Sequence, residues 1–274
     1  MNNLNKDKVE QLIKEIKSEI NDFKIENQFL SKFSNSVTDQ EFLTYVNGIG
    51  GAYVKFLSLL VKKTQPKNIV ELGNREGLST LGIYQNLPSD AHFSTIDIDR
   101  DQRYCPKEMF SDKRVSFIFG DVCDVEIFEK LPKDIDILFS DTIHYNFQIS
   151  DEFEIYQHLL ADTALVAIDD IHTNDKGIFW DKLKYEKWDL TELCHHSGWG
   201  LFLYERKVQG VSIENRILEA ARAAAVIWKR KSGERDIEIN SYKERKLTSK
   251  IKKVIKKNKY LYKLGVYLIN KTKR

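Results

Sequence analysis

Between Asn68 and Thr80 the chain reads Asn-Ile-Val-Glu-Leu-Gly-Asn-Arg-Glu-Gly-Leu-Ser-Thr, a strand that runs into a glycine turn and out into a helix. Ile69, Val70 and Leu72 make the short apolar run of a parallel strand covered on both faces. Gly73 and Gly77 supply backbone that can turn sharply and approach a ligand with no Cβ in the way. A helix that starts near Gly77 turns its free N–H groups toward the crevice where Glu71 also lies. Such a turn suits a nucleotide-like ligand. Phe93–Ile98 reads as a second strand with Asp97 at its C-terminal end, 24 positions after Gly73. At about that spacing, ~20 residues, an acidic residue meets ribose hydroxyls in nucleotide-binding βαβ units. The dinucleotide fingerprint Gly-x-Gly-x-x-Gly is not present, because it would need glycine where the chain has Arg75 and Leu78.

What is present is Glu-x-Gly-x-x-x-Gly-x-Ser over residues 71–79. Here the chain resembles the class I S-adenosylmethionine-dependent methyltransferases, in the branch that lacks the middle glycine, as catechol O-methyltransferase does. The resemblance runs over roughly residues 45–206. Val115–Asp121 resembles the third strand of that family, Asp134–Tyr145 the fourth strand with its loop, and Ala164–His172 the fifth. Lys187–Glu192 and Gly200–Glu205 would make the final hairpin. The expected fold is α/β: a Rossmann-like, seven-stranded, mostly parallel sheet with a final antiparallel hairpin, flanked by helical N-terminal and C-terminal extensions. The resemblance implies that Glu71, Gly73, Asn74, Gly77, Ser79, Asp97 and Asp121 bind S-adenosylmethionine.

Open parallel sheets bind ligands at the C-terminal ends of their strands. Three carboxylates are expected there, Asp141 after the fourth strand and Asp169 and Asp170 after the fifth. Three oxygen ligands suit Mg²⁺ or a similar hard divalent cation. This pattern is similar to that of the metal-dependent O-methyltransferases, including the macrolide-sugar enzymes, and to the cephalosporin hydroxylase-like group. His144 stands three residues after Asp141, where some of these proteins carry a histidine. An unperturbed imidazole titrates near neutral pH, so His144 is the expected general base, with Asp141 acting through the metal shell. His172 is a weaker rival, and His195 and His196, with Trp199 in a glycine-flanked turn, read as an ordinary hairpin loop before they read as lining of the acceptor pocket. Two departures from the family pattern stand out. Thr142-Ile143 replaces a Gly or Asn-Ala after the metal aspartate, and Ala161–Ala164 replaces a Pro-Gly-Gly turn before strand five.

Three widely spaced cysteines, Cys105, Cys123 and Cys194, suggest neither a disulfide framework nor a zinc site. The chain opens without an apolar signal region, and no run approaches ~18 apolar residues, so an intracellular enzyme is expected. A net charge of +2 conceals an asymmetry: residues 241–274 hold 13 Lys and Arg against one acid, leaving 30 basic and 40 acidic residues before them. Apolar residues from Leu247 to Ile269 recur among these lysines at roughly helical spacing. A basic amphipathic helix of this kind can lie on an anionic membrane surface, or dock on the protein itself or a second subunit. The expected location is cytoplasmic, with peripheral attachment to the inner face of the membrane. Nucleic acid is not an expected partner, since no recognisable module accompanies the charge.

The division expected is a helical cap or dimer element over 1–38, a methyltransferase domain over 39–208, a helix and linker over 209–240, and the basic tail over 241–274. Within it, amphipathic helices are expected over Lys6–Phe33, from about Asp39 to Lys63, and over Ile213–Lys231, with a linker over Ser232–Asp236. The expected reaction is metal-assisted methylation of a hydroxyl on a sugar, glycan or other small acceptor. Two alternatives stay open: another enzyme on the same scaffold, such as a hydroxylase-like one, and a non-catalytic binding protein.

Overall fold

A computed structural model describes residues 4–25, 44–48, 51–100, 102–128, 130–208 and 210–227. The basic tail, the linker before it and the far ends of the helices expected over 6–33 and 213–231 lie outside the described residues. So do 39–43 at the start of the second expected helix. The chain divides into two compact units, 1–225 and 226–274, and the sheet with its helices belongs to the first.

Helix α1 spans Lys6–Glu19. Its N-terminus is capped by Asn5, whose side chain accepts the Lys8 N–H at 3.0 Å. Val9, Leu12, Ile16 and Ile20 recur every three or four residues and are buried. The helix stops well before residue 33 because Asn21 and Asp22 follow, residues that favour turns over helix interiors. A second helix, α2, spans Ala52–Thr64, preceded by a helical turn over 44–47 that Gly48 interrupts. Lys63 on α2 is bonded to Glu15 and Glu19 on α1 at 3.4 and 2.6 Å.

Seven strands follow: β1 (Asn68–Leu72), β2 (His92–Asp97), β3 (Val115–Phe119), β4 (Ile135–Ser140), β5 (Leu160–Asp169), β6 (Glu186–Asp189) and β7 (Trp199–Glu205). Their order across the sheet is β3-β2-β1-β4-β5-β7-β6. The first five are parallel, and β7 is antiparallel to both β5 and β6. Helix α3 (Leu78–Gln85) follows β1, α4 (Val125–Phe128) follows β3, and α5 (Asn146–Tyr156) follows β4. Two short helices, α6 (Gly177–Lys182) and α7 (Thr191–Cys194), lie around β6, and the described residues 213–227 are helical, α8. One core joins α1 and α2 to the sheet through Phe56, Leu59, Leu60, Ile69, Phe93, Phe139 and Trp199. Trp199 is fully buried, 4.7 Å from Phe56 between ring centres.

The segment expected as a turn, Ala161–Ala164, lies instead inside β5. Leu160 pairs with Ile135, and Leu165 already pairs with Ile137, so the extra residues are absorbed as an irregularity in the strand. Asp136 ties the neighbouring strands together, its Oδ2 accepting the N–H groups of Lys67 and Asn68 at 2.8 and 3.0 Å. The strand order reverses between β1 and β4, the switch point where open α/β sheets form their ligand crevice.

Candidate functional site

At that switch point the loops after β1 and β4 touch. Leu72 pairs with Ser140 in register, and the Asp141 N–H donates to the Leu72 carbonyl at 2.8 Å. Gly73 then takes φ +84°, with its own N–H on the Ile96 carbonyl at 2.8 Å. A Cβ there would fall 2.2 Å from the Asp141 carbonyl oxygen, so the absent side chain makes room for the β4 loop. Gly77 caps α3 at φ +90°, and a Cβ on it would meet Cys105 Sγ at 2.4 Å. Both glycines are therefore required by close approach within the protein itself.

Asp97 organises the rest of the turn. Its Oδ2 accepts the N–H groups of Asn74 and Arg75 at 2.9 and 2.7 Å, and its Oδ1 accepts that of Asp99 at 2.8 Å. Burial raises its pKa, while these three bonds oppose the rise. Oδ1 keeps room for a further donor such as a hydroxyl. Glu71 lies beneath, fully buried, with Oε2 accepting from Thr80 and Thr95 at 2.7 and 2.6 Å and with the Ser79 hydroxyl beside the carboxylate. Burial pushes its carboxyl up to about 7. Glu71 Oε1 and Asn74 Oδ1 are both buried at this turn and accept no hydrogen bond among the described residues. Two orphaned acceptors in one place fit a ligand that brings donors, such as an amine. Asp121 is further along the same edge, where Gly120 donates to the Asp97 carbonyl at 3.0 Å. Its Oδ1 accepts the Cys123 N–H at 2.9 Å, shaping a turn.

The three carboxylates expected to share one metal are arranged differently. Two overlapping clusters form among the described residues, Asp141–His144–Asp170 and Asp169–Asp170–His195, each with its ligand atoms within 4.8 Å of one another. The reason is local backbone. Asp169 ends β5 in extended conformation, whereas Asp170 takes φ +55° and leaves the strand. Asp169, buried, is hydrogen-bonded to His195 Nε2. Burial pushes its pKa up and the charge of Asp141 adds to that, while the His195 bond acts the other way. Asp170 is held below the usual carboxylate range: burial, the largest single effect, would raise it, but the His144 bond together with the charges of His144, Lys176 and His195 outweighs burial.

His144 Nε2 is 3.0 Å from Asp170 Oδ2 and 3.6 Å from Asp141 Oδ1. Burial works against its charge, but the two carboxylates prevail and raise its pKa to about 9. The imidazole is thus a proton holder at neutral pH, not the unperturbed base that its residue type suggests. His172 takes no part, being paired with Asp189 at 3.0 Å on the surface. Sequence reasoning prefers a plain hairpin loop for His195, whereas the structure sets it against Asp169, with its ring also meeting Tyr53 edge-on at 5.5 Å. The adjacent pair His195-His196 is the signal that points to it. No local pattern marks Glu152 and Lys176, both buried behind the clusters.

The donor set, rich in carboxylate oxygen with one imidazole in each cluster, fits a divalent cation. The three cysteines are free and buried, and none enters either cluster.

A family model described as O-methyltransferase matches residues 21–194, well over half of the chain. Among solved structures, the chain is similar to a methyltransferase from Geobacter sulfurreducens at 20% identity, covering 56% of this chain and 78% of that one, with a TM-score of 0.46. It is also similar to the O-methyltransferase TomG from Streptomyces achromogenes, solved with S-adenosylmethionine, at 19% identity, covering 70% and 90%, TM-score 0.45. An O-methyltransferase from Bacillus cereus, solved with S-adenosylhomocysteine, is 16% identical, with 73% and 90% covered and a TM-score of 0.43. No curated protein matches the chain.

Proposed function

Since the chain belongs to the S-adenosylmethionine-dependent O-methyltransferases, we propose that it methylates a hydroxyl of a sugar, glycan or other small hydroxylated acceptor with the help of a divalent cation such as Mg²⁺. The observation that carries this reading is the contact between the two loops: Gly73 of the glycine turn abuts the backbone of Asp141, and Asp141 belongs to the carboxylate–imidazole cluster. Donor and acceptor would therefore meet across one crevice, and holding reacting atoms ~3 Å apart supplies much of the rate in such transfers.

In this reading Glu71, Gly73, Asn74, Gly77, Ser79, Asp97 and Asp121 surround the methyl donor. The orphaned Glu71 Oε1 and Asn74 Oδ1 suit its ammonium group, and Asp97 Oδ1 suits its ribose hydroxyls. Asp141 and Asp170 would hold the cation, with Asp169 reaching it from the second cluster. Bound there, a cation lowers the pKa of a coordinated hydroxyl. His144 Nε2 is the proton acceptor in this proposal. With both carboxylates free it keeps a proton of its own; when their charge is engaged by a cation, that proton can leave to solvent, and the neutral ring can then take one from the acceptor.

Calorimetric titration of S-adenosylmethionine and S-adenosylhomocysteine, with and without Mg²⁺, tests the reading. Micromolar binding that Asp97→Ala abolishes supports it, and mass spectrometry of a hydroxylated sugar incubated with the protein should then show a gain of one CH₂. No binding of either ligand would overturn it.

The lysine-rich residues 241–274 extend the proposal to location, as a peripheral contact with an anionic membrane surface at about 1 kcal/mol per cation near it. Among the described residues no helix is long and apolar enough to cross a membrane. If deleting 241–274 leaves membrane fractionation unchanged, the extension fails.

A further inference from the structure

Behind the carboxylate clusters lies a buried polar group that the proposed reaction leaves unused. Glu152, on α5, is 1% exposed. Its Oε2 accepts the Ser140 hydroxyl at 2.7 Å, and its Oε1 accepts the Thr142 hydroxyl at 2.5 Å and the Gln148 amide at 2.7 Å. Ser140 and Thr142 flank Asp141, so one carboxylate grips the chain on both sides of it. Across from this, Lys176 is 0% exposed and its Nζ has no hydrogen-bond partner among the described residues. Lys176 closes the turn that begins at Asp170: Thr173 bonds the Asp170 carbonyl through its N–H at 2.9 Å and the Asp170 side chain through its hydroxyl at 3.2 Å. The Lys176 N–H then bonds the Thr173 carbonyl at 3.3 Å. A further bond ties the two loops together, from the Asn146 N–H to Asp175 Oδ1 at 2.8 Å. A lysine with no exposed surface is expensive to keep charged unless a counter-charge is near. The carboxylates electrostatically coupled to Lys176 are Glu152 on one side and Asp170 on the other.

We propose that Glu152 and Lys176 are positioning residues for the cation site, two buried groups that together set the separation of Asp141 and Asp170 on their loops, Glu152 by its hydrogen bonds to Ser140 and Thr142 and Lys176 by closing the turn that begins at Asp170. Neither touches donor or acceptor. Glu152 fixes where Asp141 and His144 stand, and Lys176 keeps Asp170 beside them. Thr142 acquires a role on this account: its hydroxyl is the handle by which Glu152 holds the loop, at a position where the family pattern has glycine or asparagine-alanine. The inference rests on the cation-dependent reading above, and the test separates the two.

The probe is Mn²⁺ alone, titrated calorimetrically into the full chain, with S-adenosylhomocysteine titrated into the same samples. Glu152→Gln should weaken Mn²⁺ binding about tenfold, as losing a group that orients a metal ligand does. S-adenosylhomocysteine affinity should stay within about twofold, because Glu152 makes no bond to residues 73–77. Thr142→Val removes a single hydroxyl and serves if Glu152→Gln fails to fold. It should weaken Mn²⁺ in the same direction, and the double variant should lose little more than Glu152→Gln alone. Lys176→Met should lower the thermal midpoint, and adding Glu152→Gln should restore part of it. Unchanged Mn²⁺ affinity in both single variants, or a parallel loss of S-adenosylhomocysteine affinity, overturns the positioning role. Additive losses in the Lys176–Glu152 double variant overturn the pairing. No Mn²⁺ binding by the unaltered protein sinks the cation reading itself, and this inference with it.

Discussion

Replacing Gly73 by alanine should damage this protein twice over, and the two effects can be separated. The first is conformational: at φ +84° an L side chain costs about 1–2 kcal/mol. The second is steric. The new Cβ would stand 2.2 Å from the Asp141 carbonyl oxygen, 2.8 Å from its carbon and 3.2 Å from Thr142 Cα. Ordinary contact begins near 3.4 Å, so the β4 loop must retreat by about 1 Å or the glycine turn must open. Overpacking of that kind adds about 1–3 kcal/mol, for a total of about 2–5 kcal/mol. For a unit of this size that corresponds to a fall of about 4–20 °C in thermal midpoint, read by circular dichroism. Because the retreating atoms belong to Asp141, Mn²⁺ binding should weaken with the midpoint. Gly210→Ala is the control. Gly210 has φ +77° and nothing within 4 Å of the place a Cβ would take, so only the conformational cost of about 1–2 kcal/mol applies, and Mn²⁺ binding should be untouched. If Gly73→Ala costs no more than Gly210→Ala, or leaves Mn²⁺ affinity intact, the argument that these two loops are locked at Gly73 is wrong.

Phe56→Ala should lose about 3–5 kcal/mol in urea unfolding, since Phe56 is fully buried against Trp199, and a loss under about 1 kcal/mol would mean that α2 and the sheet do not share one core. Glu71→Gln should change the pH dependence of stability. Burial raises the Glu71 carboxyl from 4.5 to about 7, so across that window the native state holds a proton that the unfolded chain has released. Stability from this group is full below pH 4.5 and is lost as pH rises through 7, a change of about 3 kcal/mol that the glutamine variant should lack. Unfolding curves of both proteins at pH 5 and 8 check this, and an unchanged difference between them refutes it. Mn²⁺ at about a hundred times its Kd should stabilise the chelator-treated protein by ~2.7 kcal/mol, and Asp170→Asn should abolish that gain while leaving S-adenosylhomocysteine binding in place. Stabilisation that survives Asp170→Asn would place the cation elsewhere.

Much of the fold is readable from residues close together in the chain. Ile69, Val70 and Leu72 announce a covered strand, and Gly73 and Gly77 announce the turn after it, because strand burial and positive φ are demands on single residues and their immediate neighbours. Asp97, Asp141, Asp169 and Asp170 are recognisable as strand-end acids for the same reason. The boundaries of α1 and β5 are less legible. Apolar spacing continues past Glu19, but Asn21 and Asp22 turn the chain, and Ala161–Ala164 resembles a connection although neighbouring strands hold it in the sheet.

How the site is wired belongs to the tertiary structure. His195 joins Asp169 across 26 positions, because the hairpin of β6 and β7 returns α7 to the end of β5. His144 binds Asp170 from another strand's loop, and that contact turns an ordinary imidazole into one that keeps its proton up to about pH 9. Glu152 grips both sides of Asp141 from the helix that follows. Strands, turns and acidic ends were determined by sequence, since propensity and patterning act over a few residues. Which acid meets which base was decided only when β4 and β5 came to lie side by side, since a pKa and a ligand cluster depend on distances through space, and no local pattern encodes those.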